Sequence, residues 1–290
     1  MVEYMSFSND MLKKYNIKLS KKYGQNFLTD ENIIKKIIAS ANVTKEDLVL
    51  EVGPGVGIMT RHLCKNAGFV IAVEIDDQLI QPLNAEFETF SNLKLIHADA
   101  LKFDFNEEIS SFNEGKNISS VKVISNLPYY ITTPLVMKFL ETINNIDSCV
   151  FMVQKEVAKR MIAKPGTKDY GALTVAINYH SNCSIEFDVP PSCFIPKPDV
   201  YSSVVKLNIY KNPPVKALNP KLMFKIVKSS FAHRRKTLLN CLTKDLAFGI
   251  SKEDIKNILM ELNIEPNQRG ETLSIDDFAR IADRFENYNN

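Results

Sequence analysis

Short apolar runs of five to seven residues recur through the first two hundred or so positions, each closed by turn-forming residues. Those at Leu48–Val52, Phe69–Ile75, Leu93–His97, Val121–Ser125, Cys149–Gln154, Ile185–Val189 and Ser203–Ile209 predict strands. Between most of them the apolar positions fall at helical spacing. The first such stretch carries Ile33, Ile34, Ile37, Ile38 and Ala41 behind Thr29 or Asp30 as N-cap. Others are Gln78–Phe87, Pro134–Ile143, Lys155–Ile162 and Ala172–Tyr179. Strand–helix alternation predicts an α/β fold whose mostly parallel sheet is covered on both faces. The last two strands have only a short, proline-containing connection, which suits an antiparallel pair at one edge. At Lys211-Asn212-Pro213-Pro214 the alternation stops. Beyond it the pattern is helical only: Pro220–Phe231, Arg235–Leu246, Lys252–Leu262 and Ile275–Arg284. Three parts are therefore expected: a basic N-terminal segment (1–29), an α/β domain (30–210) and a small all-helical domain (215–290).

Composition narrows the class without changing that picture. Of 290 residues, 45% are apolar and 24% charged, which excludes a disordered, collagen-like or coiled-coil chain. No apolar run approaches the ~18 residues of a membrane helix, and residues 1–10 lack the apolar centre of a secretory signal. Five scattered cysteines without a CxxC argue against a disulfide framework or a zinc site, so no metal and a reducing, cytoplasmic setting are expected. The net charge of +2 conceals an uneven distribution. Residues 211–244 hold nine Lys or Arg and no acid, whereas 245–290 hold five basic and ten acidic residues. The basic block reads either as a solvated helix face or as a footprint for phosphate backbones.

Chemistry first shows at Glu51-Val52-Gly53-Pro54-Gly55-Val56-Gly57, which follows the first strand and leads into a helix. Gly53 and Gly55 allow a tight turn and a close approach of backbone to ligand. The GxGxG spacing behind an acid fits neither the GxGxxG of dinucleotide sites nor the GxxxxGK[ST] of phosphate loops. Glu74, ending the next strand, is placed to accept from two ribose hydroxyls, and Asp99, just past the third, from an adenine amino group. Each acid alone could equally be a turn residue. As an ordered set at strand ends they point to an adenosyl ligand without pyrophosphate, S-adenosylmethionine.

A second site follows the fourth strand at Asn126-Leu127-Pro128-Tyr129. The exocyclic amine of adenine is a poor nucleophile because its lone pair is delocalised into the ring. The Asn126 side-chain carbonyl and the adjacent main-chain carbonyl can accept the N6 hydrogens, which draws density onto nitrogen without a titrating base. Pro128 stiffens the loop and Tyr129 offers a ring for an extruded base. The alternative for an isolated NxPY is a proline turn with a packed aromatic. Phe194, opening Phe194-Ile195-Pro196-Lys197-Pro198, could face the base from the other side or belong to the core. His62, His97, His180 and His233 show no ligand spacing and receive no catalytic role.

Taken in order, these motifs, with Gly24-Gln25-Asn26-Phe27-Leu28, Phe231–Leu238 and Arg269–Ser274, are similar to those of a known family. From about Lys21 to Ala282 the chain resembles the ribosomal RNA adenine dimethyltransferases acting on small-subunit RNA, the kasugamycin-resistance dimethyltransferase family. The resemblance implies a Rossmann-like class I methyltransferase sheet and cofactor contacts at Asn26, Leu28, Gly53, Glu74, Asp99 and Asn126. It implies stacking of the target adenine on Tyr129 with Phe194 opposite. It also implies N6,N6-dimethylation of two adjacent adenosines in the 3′-terminal hairpin loop of small-subunit (16S) RNA during late assembly, by a monomer. Arg234, Arg235 and Lys236, with Lys21 and Lys22, then read as RNA contacts. The erythromycin-resistance branch, acting on large-subunit RNA, shares the Gln-Asn-Phe and Asn-x-Pro-Tyr signatures. The Arg234–Leu238 and Arg269–Ser274 stretches favour the small-subunit branch over it. A DNA methyltransferase lacks support in any further recognition domain, and intact Asn126 and Tyr129 argue against a non-catalytic assembly factor.

Overall fold

A computed structural model of the chain describes residues 4–17, 24–113, 118–233, 235–244 and 248–289. Lys21, Lys22 and Arg234 lie outside the described residues. The chain divides into two compact units, Met1–Ala158 with Cys183–Ile209, and Lys159–Asn182 with Tyr210–Asn290.

The first unit is built on a sheet that has seven strands among the described residues. In chain order these are β2 (Asp47–Val52), β3 (Phe69–Glu74), β4 (Leu93–His97), β5 (Ser120–Asn126), β6 (Ile146–Gln154), β7 (Ser181–Val189) and β9 (Ser202–Ile209). Their order across the sheet is β4-β3-β2-β5-β6-β9-β7. The first five are parallel, and β9 runs antiparallel to β6. Every residue of β2 is buried, as a strand covered on both faces requires. On one face, α2 (Glu31–Ala41) and α3 (Ile58–Asn66) press Ile34, Ile37, Met59 and Leu63 onto Val49, Val70, Ile124 and Val150. Elsewhere in this unit Phe105, Phe139 and Phe151 form a continuous aromatic row, with ring centroids 5.4 and 5.8 Å apart. Asp30 caps α2 by accepting from the amides of Asn32 and Ile33.

Two features of this unit have no periodic signal. Residues 4–14 form α1 (Tyr4–Lys14), whose Met11 joins a cluster with Phe27, Val56, Leu79, Leu83 and Phe87. Two-residue strands β1 (Phe27–Leu28) and β8 (Phe194–Ile195) pair antiparallel, Leu28 opposite Phe194. They are too short for alternation to register, and their pairing spans most of the chain.

The second unit is helical: α8 (Ala172–His180), α9 (Pro220–Ala232), α10 (Leu238–Lys244), α11 (Lys252–Glu261) and α12 (Ile275–Asn289). Its core joins Tyr170, Val175 and Tyr179 to Met223, Ile226, Leu242, Ile258, Phe278 and Phe285. Residues 159–182, expected in the α/β domain, thus count with the helical unit. The reason lies in α8, which is apolar nearly all round and whose pattern therefore names no partner. Arg235 and Lys236 sit on an exposed turn rather than on the helix expected from Arg235, because α10 starts only at Leu238.

Candidate active site

The order β3-β2-β5 places a topological switch point between β2 and β5, where the chain's crossovers diverge and open sheets bind ligands. A cleft opens there at the strand C-termini. It encloses about 930 Å³ of space, open solvent included, within the range of small-molecule sites. Asn26, Leu28, Gly53, Gly55, Glu74, Asp99 and the whole of Asn126–Tyr129 line it.

The glycine loop makes the first wall. Gly53, Gly55 and Gly57 all take positive φ (68°, 59° and 85°), which side chains rarely adopt. A Cβ on Gly55 would lie 2.8 Å from the Phe27 ring, so the loop closes tightly on β1 and the Asn26 that precedes it. Gly53 faces the Pro128 ring, which brings the glycine loop against the Asn126–Tyr129 loop. Glu74 is buried, and one of its oxygens accepts from the Gly55 amide at 3.2 Å. The other accepts from Ile75 and Asp76 amides, both at 2.9 Å. Burial still raises this carboxyl, with the three amides opposing. Asp99 turns the chain after β4 by accepting from the Leu101 amide, and remains partly open to the cleft.

The second wall is the loop after β5. Asn126 Nδ2 donates to the Asn26 carbonyl at 3.1 Å, which orients the carboxamide and leaves its Oδ1 with no donor among the described residues. The Leu127 amide donates to the Met152 carbonyl. The Pro128 carbonyl is occupied by the Ile131 amide and the Thr132 hydroxyl. Tyr129 shares a 2.6 Å hydrogen bond between its phenol and the Ser202 hydroxyl, and burial raises its pKa. Its ring is thereby fixed while still lining the cleft.

Phe194 departs from expectation. It is 3% exposed, packed in the core with Leu28, Ile34 and Cys193, and is not part of the cleft wall. Pairing of β8 with β1 draws it inward, so it offers no face to a base in this structure. The histidines are structural: His62 meets Glu31 at 3.1 Å, His97 reaches the Ile75 carbonyl, and His180 stacks on Phe224. His233 is exposed.

The residue that sequence reasoning noted without assigning is Glu51. It is 0% exposed, lines the cleft, and neither oxygen has a hydrogen-bond partner. Burial pushes its carboxyl up to about 8; the Thr60 hydroxyl, close but out of bonding geometry, opposes this, and the Glu74 charge adds to it. The acid ahead of the glycine loop was its only signal.

These groups test the fit of the adenosyl ligand. The cleft wall holds three carboxylates, Glu51, Glu74 and Asp99, and no Lys, Arg or His among the described residues. A pyrophosphate would meet three carboxyl groups and no balancing cation there. A net cationic nucleoside meets two acceptors for its sugar and base, plus an unpaired buried carboxylate for its ammonium. S-adenosylmethionine has that chemistry, and the residues fit it.

Fold and cleft together define an S-adenosylmethionine-dependent methyltransferase. Residues 16–284 match the ribosomal RNA adenine dimethylase family, and the chain belongs to it. It is 46% identical over 275 residues to the ribosomal RNA small subunit methyltransferase A of Lachnoclostridium phytofermentans, covering 94% of each chain. To the protein of the same name from Alkaliphilus metalliredigens it is 48% identical, over 94% of this chain and 93% of the relative. A dimethyladenosine transferase of Plasmodium falciparum has a similar crystal structure, with a TM-score of 0.74 at 25% identity, covering 91% of this chain and 98% of that one. The enzyme is a ribosomal RNA adenine dimethyltransferase that uses S-adenosylmethionine.

Proposed function

We propose that the enzyme acts on the small ribosomal subunit, in the cytoplasm and as a monomer, dimethylating N6 of two adjacent adenosines in the 3′-terminal hairpin loop late in assembly. The observation that carries this reading is 46–48% identity, over nearly the full length, to small-subunit enzymes. The bound cofactor supplies an electrophilic methyl group on a sulfonium. Glu74 holds the ribose hydroxyls and Asp99 the adenine amine, while Asn26, Leu28, Gly53 and Gly55 frame the nucleoside. Glu51 receives the ammonium.

On the substrate side, Tyr129 stacks on the extruded adenine, its phenol anchored by Ser202. Asn126 Oδ1 and the Leu127 carbonyl accept the N6 hydrogens. Both groups stabilise the positive charge that grows on N6 as the bond to carbon forms. Neither titrates, so the proton released at N6 leaves to water. Arg235 and Lys236, exposed on their turn, contact RNA phosphates, joined by Arg234, Lys21 and Lys22.

The deciding experiment is transfer of labelled methyl from S-adenosylmethionine to undermethylated 30S subunits, 50S subunits and duplex DNA in parallel. Mass spectrometry of the digested nucleosides identifies the product. Dimethyladenosine from 30S alone is the expected result; label on 50S instead overturns the small-subunit assignment.

A further inference from the structure

Tyr129 is tied at its phenol to Ser202, and the residue before Ser202 is Tyr201, 51% exposed. Consecutive Cα atoms lie about 3.8 Å apart and side chains alternate along a strand, so Tyr201 stands one residue step from Ser202 with its ring turned to the other face, that of Ser203 and Asp188. It sits at the open end of the sheet: Ser202 pairs with Gln154, the last residue of β6, and the Lys155 amide donates to the Tyr201 carbonyl at 2.9 Å. That is the end at which the cleft opens. Nothing in the cofactor site or the Asn126–Tyr129 loop uses this ring.

The ring is held in place. Lys155 Nζ lies 5.7 Å from its centroid, over the ring. The same ammonium binds Asp188 at 2.5 Å, and Asp188 accepts from the Ser203 hydroxyl at 2.6 Å. A chain of contacts from β9 through Asp188 and Lys155 thus fixes a cation against one face of Tyr201 and leaves the exposed remainder to solvent. Val200, 45% exposed, extends the apolar surface. The cations beside it in sequence are offset: Lys155 is paired with Asp188, and exposed Lys197 is accompanied by exposed Asp199 and Glu156. A rim with a fixed, half-open aromatic and no excess of cations among these residues suits a nucleobase better than a phosphate. Base–aromatic stacking is indifferent to sequence and works without a cation.

We infer that Tyr201, braced by Lys155, is a second stacking step that takes the unpaired base next to the target adenosine. The inference rests on the proposed role of Tyr129 in holding the extruded adenine. Its task is to keep the neighbouring nucleotide unstacked from the target, which lowers the cost of extrusion without touching the reacting atoms.

The test compares Tyr201→Ala, Tyr201→Phe and Tyr129→Ala on whichever ribosomal RNA substrate the unaltered enzyme methylates. Tyr201→Ala is expected to raise the KM for RNA about tenfold, in keeping with the loss of one stacked base. The affinity for S-adenosylmethionine, read by calorimetry, stays unchanged and reports that the variant is folded. The salt dependence of RNA binding stays unchanged too, since no phosphate contact is lost. Tyr201→Phe keeps the ring and returns KM to within about twofold of the parent. A KM for RNA unmoved in Tyr201→Ala, or a Phe variant as impaired as the Ala variant, overturns the stacking step. Loss of turnover in Tyr129→Ala under those outcomes leaves the catalytic pocket standing; normal turnover in Tyr129→Ala removes the parent reading itself.

Discussion

Glu51 shows how far one side chain shapes the cleft. Its carboxyl, ordinarily near 4.5, is pushed up to about 8, so the folded cofactor-free enzyme holds a proton there that the unfolded chain releases. The stability it contributes is complete below about pH 4.5 and is lost as pH rises through 8. Glu51→Gln is therefore expected to melt at a higher temperature than the parent at pH 9 without cofactor, and to bind S-adenosylmethionine at least tenfold more weakly. Scanning fluorimetry with and without cofactor reads both; an unchanged melting temperature at pH 9 would show that the carboxylate is solvated. On the proposed ribose contact, Glu74→Gln removes the charge while keeping the shape, and loses a buried hydrogen bond to a charged acceptor, about 1.5–3 kcal/mol. Calorimetry should show that loss as weaker cofactor binding, roughly tenfold or more. On the proposed stacking role, Tyr129→Ala removes a ring worth about 1–3 kcal/mol to the bound base and is expected to cut single-turnover rates while sparing cofactor affinity.

Elements decide how those side chains meet. The turn from β2 to α3 works because Gly57, the α3 N-cap, sits at φ 85° with Phe87 and Leu83 packed over the space where a Cβ would go. A Cβ there would approach the Phe87 ring to 2.6 Å. Gly57→Ala thus combines left-handed backbone strain with a clash, and a cost of about 2–4 kcal/mol is expected. Thermal unfolding measures it, and a loss below about 0.5 kcal/mol would mean that the loop readily relaxes. The β1–β8 pair acts at the same scale. It draws Phe27 and Leu28 beside Phe194 and Ile195, and so presents Asn26 to Asn126. The pairing also explains why Phe194 is a core residue here, although its motif follows Tyr129's in the sequence resemblance.

At the scale of the molecule, catalysis and charge are divided. The cofactor cleft in the first unit carries carboxylates and no described cation, while the basic run of residues 211–244 belongs to the helical unit. On the proposed reading, an anionic RNA meets its backbone contacts on the helical unit and the reacting groups on the other. Changing Arg235 and Lys236 together to Glu is expected to weaken RNA binding and make its dependence on log salt shallower by about 1.4–1.8. Filter binding over a salt series measures the slope, and an unaltered slope would leave these residues as solvated charges.

The sequence by itself determined the α/β class, seven strands in their right places, and the order of cofactor and substrate motifs along the chain. These are local signals: strand length, helical spacing, and glycines needing positive φ, and each is written within a dozen residues. It also supplied Asn126, Tyr129, Glu74 and Asp99 as candidates, since an acid or amide at a strand's C-terminus has a defined place relative to the sheet. Only the tertiary structure decided which side chains share one cleft, that Glu51 is buried without a partner, and that residues 159–182 join the helical core. Those outcomes depend on contacts between residues far apart in the chain, where an apolar residue such as Val175 fits more than one core and burial alone selects the partner. Phe194 is the plainest case, because a pairing with Leu28 more than 160 residues away turned a candidate platform into core.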